Sequence, residues 1–263
     1  MRIHFTSHGE RDLRAPAIAF VAVMLMASSA DSAQLIVLSG QGATPGVREV
    51  ATAFARTSGH TVTVLQPAGA ELQQRLDNGP ADILVTSPEP IDDLVKKGKL
   101  VSDTVTPWVL AGLGVSVRAG APKPDIGTVE AYKAALIAAK SIGYSYGCSG
   151  TNVAEGIEKL GLAERLKPKT TRTGSQGGGG PVTEYLARGD FELGIQQTNI
   201  MVGVAGTDYV GPVPGFLNKP CPSSVAMTTV SREPDAAHAM IMFMISPEAA
   251  PLVRKTYVEP AAH

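Results

Sequence analysis

QLIVLSGQGATPGVREVATAF, residues Gln34 to Phe54, is the stretch on which the fold assignment turns. Leu35 to Leu38 form a short unbroken apolar run, as expected for a strand buried on both faces. Ser39, Gly40, Gln41 and Gly42 interrupt it with small and polar side chains. After Thr44-Pro45-Gly46, apolar Val47, Val50, Ala51 and Phe54 recur at i, i+3, i+4 and i+7, the helical period. A strand, a glycine loop and a helix in this order set backbone N–H groups at a helix N-terminus, where a small anion can be received.

The pattern repeats downstream. His60 to Leu65 alternates and is β-branched, so it reads as a strand; Leu72 and Leu76 mark the next helix, which Asn78-Gly79-Pro80 ends. Ala81 to Val85 is a third apolar strand, and Ile91, Leu94 and Val95 stripe the helix after it. This βαβαβα order predicts a mostly parallel sheet covered by helices. Leu110 to Arg118 is extended but carries two glycines and is followed by GAPKP, the composition of a segment that passes between domains. A second set follows: a helix with Val129, Tyr132 and Leu136, a strand over Ser141 to Ser145, a loop over Gly147 to Thr151, and a helix with Val153, Ile157 and Leu160. Then come a glycine-rich loop from Gly174 to Gly180, a helix with Val182, Tyr185 and Leu186, and strands over Phe191 to Gln197 and Tyr209 to Val213. A β run over Ser224 to Ser231 and two helical stretches close the chain. The expected architecture is α/β with two lobes, residues 34–113 plus 223–263 and residues 114–222, joined by two hinge crossings.

The 263 residues are 44% hydrophobic and carry a formal net charge of -1, which leaves no electrostatic footprint for nucleic acid. Five histidines and two cysteines, with no CxxC or HExxH spacing, point away from a metal site, and no cofactor is expected. Arg2, Arg11 and Arg14 precede the apolar run Ala15 to Ala27 and then the small residues SSADSA, the layout of a secretory signal cut between Ala30 and Ala33. Residues 1–33 are therefore expected to be removed on export, to the periplasm. Export permits a disulfide between Cys148 and Cys221; sequence alone leaves it open.

In open α/β sheets, ligands sit beyond the carboxyl ends of the strands. The loops there are Ser39–Gly42, Gly69–Ala70, Thr86–Ser87, Gly147–Thr151, Ser175–Gly178 and Gln196–Thr198, all rich in neutral donors. Other chemistries fit less well. Gly40, Gly42 and Gly46 miss a dinucleotide fingerprint by one residue, and Gly147-Cys148-Ser149-Gly150 misses a nucleophile elbow by one. His238 follows Ser149 in the order a triad needs, but it lies on an expected helix among Met and Phe. A proton-shifting enzyme in the same cleft would need one acid or base, and Glu71, Glu89 and Tyr146 are the candidates. Arg48, Arg118 and Arg172 could pair with carboxylates.

LIVLSGQGATPGVREVATAF, GPADILVTSPE, VLAGLGVSVRAG, GIEKLGLAERL, YLARGDFELGIQQ and PEAAPLVRKTY occur in an order that resembles the exported solute-binding proteins of ABC importers, in particular the molybdate-binding class. The resemblance spans the mature chain. It implies two α/β lobes of the type II periplasmic binding protein fold, a small anion held by hydroxyl and backbone donors, and a membrane permease as partner of a monomeric protein. On this reading the donors are Ser39, Gly40, Gln41, Gly42, Gly69, Ala70 and Ser87 from lobe one, and Ser149, Gly150, Thr151, Gln176, Gln196 and Gln197 from lobe two. The residues depart from the molybdate pattern at three matching positions. Gly42 and Gly69 stand where that class has serines, and Gln197 where it has a tyrosine. An organic di- or tricarboxylate is therefore expected in place of molybdate. VRAGAPKPDI and Gln196-Gln197 are also similar to an exported branch of aconitate isomerases, which keeps an enzymatic alternative open.

Overall fold

The computed structural model describes Met1, residues 32–174 and residues 180–262. The expected leader, apart from Met1, Ser32 and Ala33, and Gln176 of the glycine-rich loop lie outside the described residues.

Strands and helices alternate from the start: β1 (Gln34–Ser39), α1 (Thr44–Ser58), β2 (Thr61–Leu65), α2 (Gly69–Asn78), β3 (Ile83–Thr86), α3 (Pro88–Lys96) and β4 (Thr106–Ala111). A second series follows: β5 (Leu113–Arg118), α4 (Val129–Ala138), β6 (Ile142–Ser145), α5 (Gly147–Lys159), α6 (Ala163–Leu166), β7 (Thr170–Thr173), α7 (Val182–Arg188), β8 (Leu193–Gln197) and β9 (Thr207–Pro212). The chain then returns through β10 (Cys221–Met227), α8 (Pro234–Met244), α9 (Ala250–Arg254) and β11 (Glu259–Pro260).

Two sheets result, one per lobe, in the orders β11-β4-β10-β3-β1-β2 and β7-β6-β8-β5-β9. Each is mixed. β2, β1 and β3 are parallel, as are β7, β6 and β8, but β10 runs against β3 and β4, and β5 against β8 and β9. The reversed strands are those that enter a sheet straight from the other lobe, so no helical crossover turns them round. The extended segment read as one piece from Leu110 to Arg118 is in fact two strands in different sheets, with Gly112 alone between them. Leu113 pairs in the second sheet, and Cys221 and Pro222 in the first. The two crossings are tied together: Leu113 N–H donates to Asn218 Oδ1 at 2.7 Å.

β1 is buried on both faces, as its apolar run predicts. Leu35 and Val37 pack with α1, α8 and Trp108, while Leu38 joins Leu76, Leu84 and Ile91 beneath α2 and α3. The α1 stripe of Val47, Val50, Ala51 and Phe54 is fully inside, and Gly59, at φ 76°, ends the helix by donating to the Ala55 carbonyl at 3.1 Å. The second lobe has the same two-sided core, with Val115, Leu136, Ile142 and Ile195 on one face and Val182, Leu186 and Phe191 on the other. In α8, Met240 and Met244 are buried while Met242 is 51% exposed, since alternate residues fall on opposite sides of a helix.

Candidate functional site

The carboxyl ends of β1 and β3 face those of β6 and β8 across a cleft of about 210 Å³. On one side stand Gly40, Gln41, Gly42 and Ala43 before α1, and Thr86 and Ser87 before α3. On the other are Ser145, Tyr146, Gly147, Cys148 and Ser149 at the start of α5, with Gly174, Gln196 and Gln197. Pro222 and Ser223 of β10 complete the wall.

Helix α5 begins one residue after Tyr146, not past Thr151, so Gly147 to Thr151 form its first turn and are not a loop. Gly150 makes this possible: a Cβ there would collide with the Ser145 carbonyl, 2.6 Å from its carbon, so the helix can sit directly on the strand end. No side chain caps the first N–H groups of α5. Ser145 and Ser149, both buried, share a 2.6 Å hydroxyl–hydroxyl bond beside them. A helix N-terminus with free N–H groups and two hydroxyls stabilises negative charge without a cation.

Glutamines supply the remaining donors. Gln196 is buried; its Oε1 accepts from Val182 N–H at 3.2 Å and its Nε2 lies 3.5 Å from Gln41 Oε1 in the opposite lobe. Gln197 fills the space above Gly42. A Cβ on Gly42 would meet Gln197 Cδ at 2.7 Å and Nε2 at 2.8 Å, with Oε1 closer still. Glycine at 42 and glutamine at 197 are thus one steric unit. Asn199, 7% exposed, reaches across the cleft and donates from Nδ2 to the Gly42 carbonyl at 2.6 Å.

Of the residues expected from sequence, the cleft gathers Gly40, Gln41, Gly42, Ser87, Ser149, Gln196 and Gln197. Ser39 lies beneath it, its hydroxyl within 3.1 Å of both Thr44 Oγ1 and the Gly40 carbonyl. Gly69 and Ala70 are exposed at the start of α2, Gly150 is buried against β6, and Thr151 is exposed on α5. Thr86 joins the site from the expected Thr86–Ser87 loop, and Ser145, Ser223 and Asn199 join it without a signal of their own in the sequence. Asn199 meets Gly42 over 157 residues of chain.

No Asp, Glu, His, Lys or Arg is among the described residues that line the cleft. Glu71 pairs with Arg75 at 3.1 Å on the outside of α2, and Glu89 is exposed on α3. Arg48 and Arg118 are also exposed. Arg172 sets its guanidinium 4.5 Å from the centre of the ring of Tyr146, a lining residue. The nucleophile readings fall away on geometry. Ser149 is bonded to Ser145, His238 is exposed on α8 in the other lobe, and Cys148 is disulfide-bonded to Cys221, with their Cα atoms 5.8 Å apart. The bridge ties the start of α5 to the returning crossing, and Asn152 Nδ2 fastens the same corner by donating to the Lys219 carbonyl at 3.0 Å.

The family profile described as bacterial extracellular solute-binding protein matches residues 35–257. The chain belongs to the bacterial extracellular solute-binding proteins. Among its relatives, an aconitate isomerase from a Pseudomonas species is 30% identical over 258 residues, covering 94% of this chain and 97% of the relative. The molybdate-binding protein ModA of Rhodobacter capsulatus is 27% identical over 251 residues, covering 92% and 95%. The solved structure of the Azotobacter vinelandii periplasmic molybdate-binding protein superposes with a TM-score of 0.69 at 19% identity, over 87% of this chain and 100% of that one. Family membership accounts for the paired lobes and for a cleft built from loops at strand ends.

Proposed function

We propose that this member of the family captures a small organic carboxylate in preference to a molybdate-type oxyanion, in the periplasm and as a monomer, and delivers it to the membrane permease of an ABC importer. The observation that carries the preference is the Gly42–Gln197 pair. With glycine at 42, the amide of Gln197 occupies the place where a serine would stand. A planar amide group beside Gln41 and Gln196 suits a planar carboxylate. On this reading the α5 N-terminus, Ser149 and the three glutamines bind the anion. Contacts made to both lobes by one ligand favour the closed arrangement that Asn199 and Gly42 already hold. The hinge would lie at Gly112 and the segment after Pro212, where the chain changes sheets. Thermal shift of the purified protein with carboxylates against molybdate, tungstate and sulfate tests the preference. Stabilisation by the oxyanions alone would overturn it.

One observation favours a second reading, isomerisation of an unsaturated organic acid. Apart from the bridged Cys148, Tyr146 is the only titratable side chain among the described lining residues, which singles it out from the earlier candidates Glu71 and Glu89. A phenol at the helix N-terminus, with Arg172 over its ring, could relay a proton to a bound carbon acid. Following cis- and trans-aconitate by NMR separates the readings: turnover that Tyr146→Phe abolishes would establish the enzyme, and unchanged spectra the binder.

A further inference from the structure

The cleft continues past Gln41. Gly40, Gln41 and Thr86 also line a second cavity of about 600 Å³ on their other side, so the two spaces adjoin. Its walls are more apolar: Ala68 before α2, Leu72 of α2, Leu84 of β3, Leu94 of α3, and Pro181 before α7 from the opposite lobe, with Ser39, Gln66 and Gly69 as its further polar or backbone-lined positions. The first compartment is walled by hydroxyls and amides and receives the α5 N-terminus, whereas the second is walled mainly by leucine and proline carbon. No charged side chain is among the described residues that line either one. An ionised group in the second compartment would exchange water for leucine and proline carbon on most sides, with the neutral groups of Ser39, Gln41, Gln66 and Thr86 as partial replacement, while in the first the α5 N–H groups add to the hydroxyl and amide donors. A tetrahedral oxyanion would use only the first.

We propose that the ligand is a carboxylate with an extended uncharged body, its head in the first compartment and its body in the second. This rests on the carboxylate reading above and narrows the di- or tricarboxylate expected from the sequence to an acid with a single charged head. The apolar walls are continuous with the anion site and open to both lobes, so the body is held by the same closure that traps the head.

Isothermal titration of the purified protein with linear saturated monocarboxylates from acetate to octanoate tests this. Affinity rises along the series, by about fourfold per added methylene where the chain is fully buried, the equivalent of ~0.8 kcal/mol. Ala68→Phe or, from the α3 side, Leu94→Phe fills the second compartment and lowers the octanoate-to-acetate ratio. Affinity that is flat or falls with length, or a ratio that neither variant moves, overturns the second compartment but leaves the carboxylate reading standing. No binding of any monocarboxylate overturns the single-headed acid, and the carboxylate reading falls with it only if di- and tricarboxylates titrated beside them also fail to bind.

Discussion

Gly42→Ala tests how the Gly42–Gln197 pair works. The φ of Gly42 lies outside the left-handed region, so alanine fits the backbone without strain. The added methyl would stand 2.7 Å from Gln197 Cδ and 2.8 Å from Nε2, while carbon contacts relax to about 3.5–4.0 Å. The amide must therefore swing aside by about an ångström, and because it ends a flexible side chain the fold yields at small cost. Replacing glycine also restricts the unfolded chain, worth roughly 0.4–1 kcal/mol of stability, so the melting temperature should hold or rise slightly. Binding should suffer. A hydrogen bond to a charged group is worth about 1.5–3 kcal/mol, so losing the Gln197 contact weakens affinity about 10- to 150-fold. Titration calorimetry with the tightest carboxylate, on Gly42→Ala, Gln197→Ala and the double variant, completes the cycle. If the methyl acts through Gln197, it adds almost nothing once Gln197 is alanine. A further tenfold loss in that background would place the effect on the loop itself and refute the reasoning, as would an unchanged Kd in Gly42→Ala alone.

Asn199→Ala, which removes the bond across the cleft to the Gly42 carbonyl, should weaken ligand binding by about 2- to 12-fold in the same titration and lower the apo melting temperature slightly. Asn199→Asp, setting a carboxylate against that carbonyl, should be worse in the same titration. Replacing both Cys148 and Cys221 by alanine opens a loop of sequence separation 73 and should cost about 2–4 kcal/mol in chemical denaturation. Ligand affinity should fall as well, because the bridge holds the first turn of α5 to the crossing segment. With no Asp, Glu, His or Lys among the described lining residues, affinity for a fully ionised ligand should stay within about twofold between roughly pH 5.5 and 8.5. A sigmoidal pH profile in that range would reveal a titrating group other than the described lining residues and contradict this expectation.

The fold was legible where burial leaves a period in the sequence. β1, with both faces inside, had to be an unbroken apolar run, and α1 had to carry its stripe at 3.6-residue spacing. β7 is the counterexample. It is an edge strand with the sequence Thr-Thr-Arg-Thr, and its two middle residues are exposed, so no apolar pattern marks it. Gly147 to Thr151 looked like a loop because glycine and serine usually punctuate. Here the glycine at 150 serves the close approach of α5 to the Ser145 carbonyl, a contact no local pattern encodes. The site was legible at the glycine loop and the glutamines, whose residue types announce neutral donors at strand ends. Ser223 and Asn199 were not, since each is brought to the cleft by strand pairing or by contact with the other lobe. Gly69 and Ala70 were expected at the anion cleft by position in the βα repeat, but α2 begins at Gly69, which lines only the adjoining second cavity, and both residues are exposed.

The most direct measurement is calorimetric titration of the purified protein with mono-, di- and tricarboxylates and, in parallel, with molybdate and sulfate. A site built on Gln197 over Gly42 should bind a carboxylate at least about 100-fold more tightly than either oxyanion, a difference of ~2.7 kcal/mol. Molybdate or sulfate binding more tightly than every carboxylate would contradict it.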